Sequence, residues 1–187
     1  MAKTKDHLEN IFCLESSWGR NSENQLTVFP ILDLIERRHY VKCAHLACNT
    51  IEQLKCHLSK FKVEKERGIL YLAFHGEPGK ISLDGKLINL ESLAQFMGLS
   101  FARWVVLFGS CSTIDVPKEE ILNFMTVTGV SMILGYQNKV DWMESAALDL
   151  LVFHQIQPYK DMRKFWSDFR ERHKELISIT GFRAFHR

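Results

Sequence analysis

Three short segments of this chain are apolar almost without interruption: GILYLAF (residues 68–74), WVVLF (104–108) and VSMILGY (130–136). A strand with water on one face alternates apolar with polar residues, whereas one that is apolar at every position needs cover on both faces. Parallel sheets provide that cover, because their crossovers lay helices over both sides. The rest of the chain supplies the crossovers. Residues 11–18 (IFCLESSW) and 41–48 (VKCAHLAC) read as two further strands. Between them, residues 30–39 (PILDLIERRH) carry Pro at a helix start and apolar positions at helical spacing. Asn49 or Thr50 caps the next helix, which turns Ile51, Leu54, His57, Leu58 and Phe61 to one side. A charged break at 64–68 leads into the first apolar run. KISLDGKLI reads as a hairpin about Asp84-Gly85, followed by a short helix over 89–96. Helices are expected over 117–126, 143–157 and 162–177. The expectation is one domain over residues 1–187, an α/β chain forming a three-layer α/β/α sandwich around a mainly parallel sheet. The final GFRAFHR reads as a loose tail or a partner contact.

The composition fits that architecture and narrows the function. With 187 residues, 46% hydrophobic and 25% charged, the chain can bury a sizeable core. Its net charge of +2 calls for no polyanionic partner, so no nucleic acid is expected. Its apolar runs are strand-sized, so no membrane span is expected either. The five cysteines are an odd number, and the opening MAKTKDHLEN carries no secretory leader, which together point to a reducing, cytoplasmic setting. Cys43, His45 and Cys48, with Cys56 and His57, can be drawn as a zinc site. On a strand, however, Cys43 and His45 share a face that Cys48 does not, and Cys56 and His57 fall in the next helix. Core cysteines are expected, with no metal and no cofactor. KDMRKFWSDFRERHKEL mixes basic and aromatic residues as a nucleic-acid surface does. Acidic residues interrupt it, and Phe165, Trp166, Phe169 and Leu176 fall at packing intervals, which suits a docked helix with a charged outer face.

In an open α/β sheet, ligands bind beyond the carboxyl ends of the strands. Three strands here end in reactive or turn-forming residues: His75-Gly76, Gly109-Ser110-Cys111-Ser112 and Gly135-Tyr136-Gln137. If the strands leading to His75 and Cys111 are neighbours, the two side chains leave one edge about 5 Å apart. A thiolate can then attack a carbonyl while an imidazole manages the protons. A helix opening near Pro117 favours the thiolate, and the Gly76 and Cys111 N–H groups can form an oxyanion hole. The plainer reading makes Cys111 a small core residue and His75 a satisfied strand-end histidine. A Cys-x5-Arg phosphatase loop is excluded because position 117 is Pro. The G-x-C-x-G elbow of thiol hydrolases and glutaminases matches at Gly109 and Cys111 but meets Thr113 where its last glycine belongs. That chemistry would draw on a histidine after the nucleophile: His154, His173 or His186.

LYLAFHGEPGKISLDGKLINLESL, VVLFGSCST and GYQNKVDWMESAALDLLVF occur in that order and span about residues 68–153. They resemble the caspase-like superfamily of cysteine peptidases, which includes metacaspases and separases, and above all its CHAT-type and small bacterial members. The resemblance implies the caspase–hemoglobinase (flavodoxin-like) topology and a cysteine endopeptidase acting on a protein or peptide. By it, His75 is the catalytic histidine, Cys111 the nucleophile and Gly76 N–H an oxyanion donor; some relatives also answer to an activating or regulatory protein. Two positions depart from the pattern. Ser110 stands where the family usually has Ala, and no long cleavable segment follows Cys111, so maturation by internal cutting is not expected. The resemblance also places a specificity pocket between the ends of the first, fourth and fifth strands. Its candidate linings are Arg20, Asp115 and Asp141. The aspartates would favour a basic residue before the cut bond, Arg20 an acidic one; the expectation is basic, although both aspartates also fit as exposed helix caps. An extended peptide would bind by adding to an exposed sheet edge. Since many relatives are inactive, the alternative is an interaction module that keeps the fold without turnover.

Overall fold

The computed structural model describes residues 9–18, 26–39, 41–61 and 68–187. Arg20 and the charged break at 64–67 lie outside them. The chain runs β1 (Asn10–Glu15), α1 (Phe29–His39), β2 (Cys43–Ala47), α2 (Ile51–Phe61) and β3 (Gly68–Ala73). A small hairpin sheet follows: β4 (His75–Glu77), β5 (Lys80–Leu83) and β6 (Lys86–Asn89). Then come α3 (Leu90–Met97), β7 (Val105–Phe108), α4 (Lys118–Thr128), β8 (Met132–Tyr136) and α5 (Trp142–Ile156). The chain closes with α6 (Met162–Arg172), α7 (Lys174–Thr180) and β9 (Phe182–His186).

The main sheet has the order β2-β1-β3-β7-β8-β9; its first five strands are parallel and β9 is antiparallel. Those five follow the doubly wound order 2-1-3-4-5, whose switch point falls between β1 and β3. Because side chains alternate along a strand, each strand feeds two cores. Phe12 and Leu14 of β1, Leu70 and Leu72 of β3, and Val106 and Phe108 of β7 face α2, α3 and α4. Ile11 and Cys13, Ile69 and Tyr71, and Val105 and Leu107 face α1, α5, α6 and α7. All six residues of β3 are buried. The unbroken apolar runs are thus covered on both faces, and the three layers result.

Local chemistry sets the helix starts. Thr50 Oγ1 accepts from Gln53 N–H, and Gln53 Oε1 accepts in return from Asn49 and Thr50 N–H, a capping box at α2. Asp141 and Asp161 cap α5 and α6 in the same spirit.

Three expectations need correction. The final residues are not a loose tail: β9 pairs with β8 from Met132↔His186 to Tyr136↔Phe182 and closes that edge. The helix expected over 162–177 is two, broken at His173, whose ring packs on Phe169 and meets Gln155 Nε2 at 2.7 Å. His75 does not end the parallel strand but opens β4 of the hairpin sheet: β3 stops at Ala73, and the buried Phe74 joins the two. Among the described residues, no helix is long and apolar enough to cross a membrane.

Candidate active site

β3 and β7 are direct neighbours, paired Ile69↔Val105 through Leu72↔Phe108, and Gly109 N–H carries the ladder on to Leu72 carbonyl at 3.0 Å. The β3–β7 register ends there; His75 belongs to β4, where it pairs with Ser82, and it is its neighbour Gly76 that meets the Cys111 loop. Gly76 fixes how closely the two segments approach. A Cβ placed on it would lie 2.3 Å from Thr113 Oγ1 and 2.4 Å from Cys111 carbonyl oxygen, so only glycine lets this backbone reach the cysteine loop. Thr113 then stitches loop to hairpin. Its carbonyl accepts from Gly79 N–H (3.1 Å), its hydroxyl donates to Lys80 carbonyl (3.1 Å), and Ser110 Oγ lies 2.7 Å from that hydroxyl.

Cys111 is half-buried, and its thiol donates towards Val140 carbonyl at 3.8 Å. Ser112, next in the chain, has φ 55°, and its N–H donates to Asn138 carbonyl at 3.1 Å. The helix expected near Pro117 is α4, which starts at Lys118 with Pro117 at its N-cap, seven residues beyond the thiol. Exposed His75 donates from Nε2 to Trp18 carbonyl at 3.2 Å, and the two rings meet edge to face at 5.2 Å. A carbonyl only accepts, so the proton sits on Nε2 and Nδ1 is the nitrogen left for chemistry.

Two buried carboxylates that the sequence reading passed over support this edge. Glu15, last residue of β1, accepts from Trp18 Nε1, Thr27 Oγ1 (2.7 Å), Val28 N–H (2.9 Å) and His45 Nε2. Burial pushes its carboxyl up, but the bonds from His45, Trp18, Thr27 and Val28 outweigh that and hold it below the usual glutamate value. Glu15 thereby anchors the residue whose carbonyl holds His75. Asp149 of α5 takes Tyr71 OH at 2.6 Å and Tyr136 OH at 2.7 Å, and burial pushes its carboxyl up to about 7 against those two bonds. Tyr71 lies directly beneath Gly109, where a Cβ would meet its ring at 2.4 Å.

The remaining candidates are dispersed. Asp141 Oδ1 accepts from Met143 and Glu144 N–H at 2.8 and 3.2 Å, the helix-cap role considered for it. Asp115 is exposed, and its N–H closes the turn to Ser112 carbonyl at 2.9 Å. Of the residues drawn as a zinc site, His45 pairs with Glu15, His57 Nε2 donates to Ala47 carbonyl, Cys48 is buried and Cys56 is exposed. The histidines that a glutaminase-type mechanism would need are elsewhere. His154 lies near the far end of α5, against His39, and His186 pairs with the first residue of β8, at the amino edge. His173 is held at the α6–α7 break. A family model described as a family of unknown function (DUF6642) matches residues 8–186. No curated protein matches the chain.

Proposed function

The chain belongs to the DUF6642 family of unknown function, and from its own residues we propose that it is a cysteine endopeptidase of the caspase-like kind, with Cys111 as nucleophile and His75 as acid–base. In the proposed cycle the thiol proton passes to His75 Nδ1 and the sulfur attacks the peptide carbonyl. The carbon–nitrogen bond then breaks, and the departing amine takes the proton from Nδ1, leaving a thioester on Cys111. Water adds to the thioester and gives a proton to Nδ1; the carbon–sulfur bond then breaks, the sulfur takes that proton back from Nδ1, and the acid and the free thiol result. The Gly76 and Cys111 N–H groups are assigned to the oxyanion. Asp115, exposed four residues after Cys111, is the better candidate for drawing a basic residue to the acyl side, since Asp141 already caps α5. The free cysteines suit a reducing, cytoplasmic setting.

The observation that carries the reading is the contact of Gly76 with the Cys111 loop, which holds an imidazole-bearing segment against a thiol-bearing one at the carboxyl edge. A peptide library incubated with wild type and Cys111→Ala tests it. Cleavage by wild type that is absent in Cys111→Ala, and about 10²–10⁴-fold slower in His75→Ala, is the expected result. Cleavage that persists in Cys111→Ala, or that runs at the wild-type rate in His75→Ala, refutes it.

A further inference from the structure

A second feature of this edge lies on the other side of His75. Along the carboxyl ends, Asn49 follows β2, Ser16 to Trp18 follow β1, His75 follows β3 and Cys111 follows β7, its thiol leaning towards Val140 past β8. A cleft of about 480 Å³ opens over the β2 and β1 ends, lined by Ser16, Trp18, Asn49, His75, Ser82 and Asp84 among others. His75 therefore stands between this cleft and Cys111.

We propose that this cleft binds the residue that follows the scissile bond, and that it takes a basic side chain with Asp84 as charge partner. The inference rests on the assignment of Cys111 and His75 and extends it to the leaving half of the substrate. When the peptide bond breaks, the acyl carbon stays on Cys111 sulfur and the nitrogen takes its proton from His75. The leaving half thus departs on the imidazole side, and the cleft is what lies there.

The lining says what fits. Ser16 is 4% exposed, and its hydroxyl has no hydrogen-bond partner among the described residues. Buried hydroxyls are almost always bonded, so an orphan beside an open cleft marks a group that a ligand satisfies. Asp84 is the one carboxylate among the described lining residues, and no lysine or arginine stands with it. The Trp18 ring, held by Glu15 and packed on His75, offers an aromatic wall that suits a cation. A volume of about 480 Å³ accommodates a long side chain and the backbone that carries it.

Asp84 can be neutralised without disturbing the fold. It and Gly85 have φ 47° and 79°, the two left-handed positions of a type I′ hairpin, where Asn-Gly serves as well as Asp-Gly. The test uses the full chain as Cys111→Ala, so nothing is cut, with Lys-Gly-Gly amide and Glu-Gly-Gly amide standing for the released half. Binding is followed by chemical-shift titration. The lysine peptide is expected to bind about two- to fivefold more tightly at low salt, the advantage of one exposed charge pair, and Asp84→Asn should erase the difference. Equal affinities, a preference for the glutamate peptide, a preference that survives Asp84→Asn, or no binding of either peptide overturns the proposal. The library digest separates the two ideas. Cys111-dependent cleavage with no lysine or arginine enrichment after the cut defeats the cleft assignment alone, and cleavage independent of Cys111 defeats the assignment of the nucleophile.

Discussion

Replacing Gly76 by Ala probes the contact on which the site is built. The new Cβ would sit 2.3 Å from Thr113 Oγ1, 2.4 Å from Cys111 carbonyl oxygen and 2.9 Å from Ser110 Cβ. Ordinary contact begins near 3.4 Å, so hairpin and loop must separate by about 1 Å. Two of the atoms in the way belong to backbone or to a β-branched side chain, and neither can swing aside. Overpacking of this kind costs about 1–3 kcal/mol. The separation also stretches the Thr113 bonds to Gly79 N–H and Lys80 carbonyl, at about 0.5–1.5 kcal/mol each. A total of about 2–6 kcal/mol follows, mostly below the 5–15 kcal/mol typical of a domain, so the variant should remain folded but weakened. Urea denaturation followed by circular dichroism should show a lower midpoint, and the thermal midpoint should drop by about 4–24 °C. Labelling of Cys111 and any peptide cleavage should fall further than stability does, because the displaced segments carry His75 and Cys111. A Gly76→Ala protein within about 0.5 kcal/mol of wild type and equally reactive would refute this reasoning.

Other parts of the account make separate demands. The folded-state value of Asp149 lies near 7, above its usual 3.8, so the folded protein binds the extra proton between those limits and stability must fall as pH rises from about 4 to 7. That contribution amounts to about 4 kcal/mol, and denaturation curves at several pH values should show it vanish in Asp149→Asn. Glu15 has the opposite sign. Its lowered value adds stability that is complete at neutral pH, begins to go below about 4.3 and is lost once the folded carboxylate protonates; Glu15→Gln should flatten that acid limb and also slow any His75-dependent reaction. Phe182→Ala should cost about 3–5 kcal/mol in a denaturant titration, since its buried ring packs on Tyr136 and Trp166, while Arg183→Ala on the same strand should stay within about 0.5 kcal/mol.

The layers could be read from the sequence because the apolar runs of β3, β7 and β8 leave only one arrangement that buries both faces. β9 escaped notice because Phe182 and Phe185 are three apart and flanked by Arg and His, which breaks the period of two; its two rings serve opposite cores. The end of β3 at Ala73 carried no signal either, since GILYLAFHG is apolar without a break up to His75. His173 interrupts a pattern that is helical throughout, and Gln155, on another helix, explains why. At the site, His75, Gly76 and Cys111 stand out as polar ends on apolar strands. Glu15 in IFCLE and Asp149 in SAALDLLVF were equally visible as lone carboxylates among apolar residues. Their partners lie far along the chain, His45 thirty positions and Tyr71 seventy-eight positions away, so only the fold reveals what they hold.

The pairing of Cys111 with His75 is tested most directly by the rate at which iodoacetamide alkylates each cysteine, read by peptide mass mapping. Cys56 is the internal reference, being the exposed thiol of the five. Half-buried Cys111 should react at least about tenfold faster than Cys56, with His75→Ala removing the advantage and leaving Cys56 unchanged. Cys111 reacting no faster than Cys56, or at the same rate with and without the imidazole, would contradict the account.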